Sequence, residues 1–146
     1  MGDGAEKEFK RAQRAMDAGQ VLAALAAVEK GLKLRDDAHW YSLYGYSMAK
    51  ERGHLTRGLE LCTTAIAREP DYPQHYFYLA QLHLVAARRE EALQALRQGM
   101  SLGGTPAIAR LLEEIGTRKP SVFPFLSRDN PLNKYLGLLF SRLGLR

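Results

Sequence analysis

Four histidines and one cysteine carry the widest chemical range in this chain: His39, His54, His75, His83 and Cys62. A zinc-hydrolase motif sets two histidines one helical turn apart with a glutamate between them, because residues i and i+4 share a face. None of the four histidines stands in that pattern. A thiolate metal site needs a second cysteine, which the sequence lacks, so an internal disulfide is ruled out too. His83 falls in a packing column and reads as a core or half-buried histidine. Cys62 stands among large packing residues and reads as a small hydrophobe, not a nucleophile. Gly103-Gly104 precedes Thr105 without the lysine of a phosphate loop, and reads as a helix stop. The acid pairs Asp36-Asp37, Glu90-Glu91 and Glu113-Glu114 are sequence neighbours, so their side chains diverge on a helix. These residues predict no catalytic centre, no metal site and no cofactor.

The elements that position these residues come from a chain of 146 residues, enough for one domain with a buried core. No apolar run approaches the roughly 18 residues of a membrane span. The opening MGDGAEKEFK has no apolar signal-peptide core, and Glu6 stands where a myristoylation signal wants Ser or Thr. With a single thiol, the expected location is the cytoplasm. The formal net charge of +5 is uneven. Residues 1–117 hold equal numbers of cations and acids. Residues 118–146 hold Arg118, Lys119, Arg128, Lys134, Arg142 and Arg146 against Asp129 alone, which is the whole excess. A neutral body with a basic tail argues against a nucleic-acid-binding surface on the body.

Residue classes recur every 34 positions. Gly19, Gly53 and Ala87 form one column, and Ala24, Gly58 and Ala92 a second. Leu25, Leu59 and Leu93 follow, then Val28, Cys62 and Leu96, then Gly31, Ala65 and Gly99. Such a period predicts helix pairs stacked into a solenoid. Helices are expected over 5–18, 21–34, from near 38, over 55–69, from near 73, over 88–98 and over 106–117. Thr105 caps the last of these and Pro106 opens it. One extra residue between Gly45 and Gly53 predicts a longer turn or an irregular helix end in the second unit. Residues 118–131 contain three prolines and cannot be one helix. Asn130-Pro131 then starts an amphipathic helix, 132–146 at its widest, with Leu132, Tyr135, Leu136, Leu139, Phe140 and Leu143 on one face.

The three units resemble tetratricopeptide repeats, whose signature runs W-x2-L-G-x2-Y, A-x3-F, A, P. The second unit matches through Tyr41, Tyr44, Gly45 and Met48, then Gly58, Cys62, Ala65 and Pro70. The third matches through Tyr76, Leu79, Ala80 and His83, then Ala92, Leu96 and Gly99. The first has Glu8, Arg11, Ala12 and Ala15 in its leading helix, the weakest match, then Ala24, Val28 and Gly31. The resemblance implies an all-α, right-handed helical-repeat solenoid of three helix pairs, at about 5–37, 38–72 and 73–104, with a capping helix at 106–117 and a C-terminal helix. Small residues in the Gly19 and Ala24 columns would let helices approach closely.

The family also implies a concave groove lined by the first helix of each pair. Its groove offsets fall on Phe9, Gln13 and Met16, on His39, Ser42 and Tyr46, and on Gln74, Phe77, Tyr78 and Gln81. Co-chaperone members hold a C-terminal carboxylate with clustered cations. Phe9, Gln13, Tyr46, Gln74 and Tyr78 stand there instead, and an anion desolvated without a cation is costly. An aromatic, amide-bearing, uncharged groove suits an extended, largely apolar peptide of a protein partner. Two alternatives stay open: a secretion-type chaperone for an exported protein, and a self-assembling subunit joined through its tail. Val122, Phe123, Phe125 and Leu126 are expected to dock on a helical surface, because exposed they are a liability. Neither nucleic acid nor a membrane span is expected among the partners.

Overall fold

The computed structural model describes residues 3–117. Among them are seven α-helices, one 3₁₀ turn and no strand. The helices are α1 (Asp3–Asp17), α2 (Val21–Leu34), α3 (Tyr41–Arg52), α4 (Leu55–Arg68), α5 (Pro73–Val85), α6 (Arg89–Ser101) and α7 (Pro106–Thr117), with the 3₁₀ turn at Ala38–Trp40 before α3. α1 packs on α2, α3 on α4 and α5 on α6, and the pairs join through α2 on α3, α4 on α5 and α3 on α5. The expected helix pairing is therefore observed. The helices up to Leu112 form one compact unit, and Glu113–Thr117 continue α7 beyond it.

The three turns within pairs explain the Gly19 column differently from the sequence reading. Gly19, Gly53 and Ala87 have φ of 76°, 73° and 60°. A Cβ added at Gly19 or Gly53 would meet nothing within 4 Å. The column is small because the backbone is left-handed there, not because helices touch. Units one and three close alike. The Gly19 N–H donates to Met16 O and Gln20 N–H to Ala15 O, as Ala87 N–H does to Leu84 O and Arg88 N–H to His83 O. This is the Schellman arrangement. In the second unit, Gly53 N–H donates to Ala49 O, the simpler left-handed cap. α3 thus runs one residue further and its turn is shorter, where the extra residue had suggested a longer turn or an irregular end.

Ala87 holds the left-handed conformation with a Cβ, at a steric cost of about 1 kcal/mol. Ala87→Gly relieves it and loses about 0.5 kcal/mol through the looser unfolded chain. A net gain of about 0.5 kcal/mol in stability is expected, read as a higher urea midpoint, and a loss would show that the turn tolerates alanine without strain.

The second small column does mark close approach. Gly45 and Gly58 face one another where α3 crosses α4, and a Cβ on either would lie 2.6 Å from the other's carbonyl oxygen. Ala24, Ala92, Val28, Cys62 and Leu96 are all fully buried. Burial alone pushes the Cys62 thiol up to about 12, so it is an inert core group whose S–H donates to Ser42 O at 3.8 Å. Thr105 caps α7 as expected, accepting from Ile108 N–H at 3.1 Å. Ile108 is buried against Gly99.

Candidate functional site

Tyr46 of α3 packs with Tyr78 of α5, and Phe77 of α5 lies beside Tyr78. Tyr46 and Tyr78 stack with ring centroids 5.3 Å apart and planes 29° apart. Phe77 tilts against Tyr78 at 5.8 Å. Tyr46, Phe77, Met16 and Trp40 are half-buried against the core. Offset stacking of this kind holds the rings in place. Burial pushes the Tyr78 phenol up to about 12, against the opposing effect of a hydrogen bond with Gln74. Burial also raises Tyr46. Both phenols are neutral at pH 7.

The ten residues expected to line the groove divide. Gln13, Met16, His39, Tyr46, Gln74, Phe77 and Gln81 are half-buried. Gln13 donates to Asp17 at 2.9 Å. Phe9, Ser42 and Tyr78 are corrections: their exposures of 0%, 2% and 3% leave no surface to offer a ligand. Phe9 is enclosed because its ring stacks on Trp40 at 5.1 Å and lies against Gly31, where a Cβ would be 2.6 Å from Cε1. Tyr78 acts from beneath, as a support for Tyr46. The tail residues Val122, Phe123, Phe125 and Leu126 lie outside the described residues, as does 118–146 as a whole.

A polar cluster that the sequence did not reveal sits where the second and third units begin. Glu69, capping α4, holds its Oε1 2.9 Å from His39 Nδ1 and 2.7 Å from His75 Nε2. His75 Nδ1 is 2.7 Å from Ser42 Oγ. The Asp37 side chain accepts from His39 N–H at 3.1 Å and fixes the 3₁₀ turn. Tyr72 lies across both imidazoles, its centroid 4.6 Å from His39 and 4.8 Å from His75. Burial lowers the His75 pKa, and the hydrogen bond to Glu69 opposes this. Ser42, His75 and Glu69 have the order of a nucleophile, base and orienting acid. The buried Ser42 hydroxyl, however, is not open to a substrate. His39 and Glu69 are 30 positions apart, so no local motif announces them. The readable signal was periodic: both histidines stand near unit starts, and stacked units bring their starts together.

His83 is half-buried, as its column implied, and its Nδ1 is buried without a partner. Desolvation lowers its pKa.

No protein-family model and no curated protein matches this chain. Solved structures do. The TPR domain of Sgt2 from Aspergillus fumigatus superposes with a TM-score of 0.63 at 19% identity, covering 77% of this chain and 76% of that one. The first TPR of Spaghetti bound to the HSP90 peptide SRMEEVD gives 0.62 at 14% identity, covering 79% and 94%. The TPR2B domain of yeast Sti1, in a complex with an Hsp70 peptide, gives 0.61 at 20%, covering 77% and 96%. The helix pairs, their left-handed turns and these superpositions agree, and the chain has the tetratricopeptide-repeat fold.

Proposed function

We propose that this protein is a non-catalytic interaction module that grips an extended, largely apolar peptide of a protein partner along α1, α3 and α5. The observation that carries this reading is the pair of half-exposed rings, Tyr46 and Phe77, held in place by buried Tyr78. Aromatic rings supply large contact area at low entropic cost, and amides such as Gln13, Gln74 and Gln81 can pair with a peptide backbone. Two of the similar structures carry heat-shock peptides, and one of these, SRMEEVD, is acidic. On the groove offsets that the family resemblance implies, Gln13, Tyr46 and Gln74 stand where co-chaperone members have cations, and none of the three is a cation. It is therefore proposed to take apolar peptides and not acidic tails.

A panel of apolar and proline-containing peptides, with SRMEEVD as the acidic comparison, tests this by fluorescence anisotropy. Tyr46→Ala and Phe77→Ala are each expected to weaken apolar-peptide binding by about 1 kcal/mol or more, roughly fivefold. Lys50→Ala, at an exposed position, is expected to change little. Binding should vary little between about 0.1 and about 1 M salt, because no ion pair carries it. Preferential binding of the acidic peptide, or a steep salt dependence, would overturn the reading.

A further inference from the structure

We propose that His39, Glu69 and His75 form a binding site for a divalent transition-metal cation of the zinc class. One ligand atom from each lies within 4.8 Å of the others. Two imidazoles and one carboxylate are a donor set that suits zinc, with the fourth tetrahedral position left open. Zinc–ligand bonds of about 2.0–2.1 Å set neighbouring donors about 3.3 Å apart. The present separations of 2.7 and 2.9 Å from Glu69 Oε1 are slightly short of that. The three donor atoms lie within 4.8 Å of one another, so closing on the ion takes an outward shift of the carboxylate and an inward turn of the half-exposed His39 ring.

The supporting shell is already built. His75 is fully buried in α5, and Ser42 Oγ sits on the nitrogen that faces away from the site. That is where a metal-bound imidazole has its orienting partner. The His39 backbone is fixed by the Asp37 bond to its N–H, and Tyr72 packs tilted on the His39 ring and edge-on to His75. His39 and Glu69 are 32% and 38% exposed, which gives an ion an entry path and leaves room for a water on the fourth position.

The proton balance closes without loss. In the ion-free state the carboxylate accepts an N–H from His39 Nδ1 and one from His75 Nε2. On binding, those two nitrogens and a Glu69 oxygen each donate a lone pair to the cation. Each neutral imidazole moves its proton to its other nitrogen. In His75 that is Nδ1, which then donates to Ser42 Oγ. No redox change occurs, and a water completes the coordination. The ion would clip the start of the second unit to the start of the third, since its ligands come from the 3₁₀ turn, the end of α4 and the first turn of α5.

The test uses the untagged full chain, freed of metal by a chelator. Zinc chloride is titrated by calorimetry at neutral pH, and cobalt chloride is followed by its visible absorption. The expected result is one ion per chain, an intense tetrahedral cobalt spectrum and a higher melting temperature with zinc. Ser42→Ala should weaken binding by about tenfold, the usual effect of losing an orienting partner. His39→Gln and Glu69→Gln, both at half-exposed positions, should weaken it by more. His54→Gln, at an exposed histidine outside the cluster, should leave it unchanged. Should a variant fail to fold, imidazole NMR of the wild type decides: zinc must shift His39 and His75 and spare His54 and His83. Absence of stoichiometric binding, affinity indifferent to His39→Gln and Glu69→Gln, or zinc shifts centred on His54 would each overturn the proposal. A failure of peptide binding leaves this site untouched, because Tyr46 and Phe77 take no part in it.

Discussion

Phe9→Ala is expected to cost about 3–5 kcal/mol, the range for a large aromatic removed from a packed core. The ring is fully enclosed. It stacks on Trp40 with planes 11° apart, presses on Gly31 and has the Arg35 guanidinium 5.3 Å from its centroid. Truncation leaves a cavity that Gly31, having no side chain, cannot fill. For a domain of this size such a loss is a large share of total stability. Denaturation followed through Trp40, the sole tryptophan, reads both the stability and the lost stack. A variant that kept its midpoint and lost only peptide binding would return Phe9 to the groove and refute its core role.

Gly58→Val is expected to cost about 3 kcal/mol, at the upper end for overpacking. A Cβ there would lie 2.6 Å from Gly45 O, with Ala49 Cβ and Leu82 Cδ1 both at 3.2 Å. The first obstacle is backbone and cannot turn aside, so α3 and α4 must part. Gly99→Ala is the useful contrast. Its Cβ would meet Ile108 Cδ1 at 3.0 Å, and a side-chain end can yield. Helix propensity favours alanine over glycine by about 1 kcal/mol, so a much smaller change is expected there. Urea midpoints of the two variants measure this. Equal midpoints would mean that the α3–α4 crossing is not closed by its backbone.

Over residues 3–117, helix number and order were legible because each helix carries apolar spacing and each turn within a pair a small residue; the length of the second-unit turn was not. The 34-residue register placed Ala24, Val28, Cys62, Ala92 and Leu96 in the core, where they are found. What a side chain does inside a column was less legible. Gly19 and Gly58 look alike as small residues, yet one serves a left-handed turn and the other a close crossing. The groove offsets failed at Phe9, Ser42 and Tyr78 for a related reason. An offset says which helix face a residue takes, and says nothing of a neighbour such as Trp40 or Tyr46 lying over it. The Glu69 cluster escaped because no local motif joins His39 to Glu69, 30 positions away, and only the shared place of His39 and His75 near unit starts hinted at it.

The polar contacts between elements differ from one unit boundary to the next. Between α2 and α3, Arg52 grips both oxygens of Glu29, at 2.7 and 3.0 Å, and Tyr44 adds a third bond at 3.4 Å. The Arg52 bond is the main reason the Glu29 carboxyl is held below its usual range. Between the second and third units His75 meets Glu69 and Ser42, each at 2.7 Å. A linear array of similar units carries the risk that one docks a whole repeat out of place, since neighbours interact through similar apolar faces. If the third unit docked directly on the first, buried His75 would lose Ser42 and Glu69, and Glu29 would lose Arg52. Orphaned polar groups of this kind penalise misdocking more than apolar faces do. Each boundary therefore bears its own address, and the order of the units is written in hydrogen bonds as well as in the covalent chain.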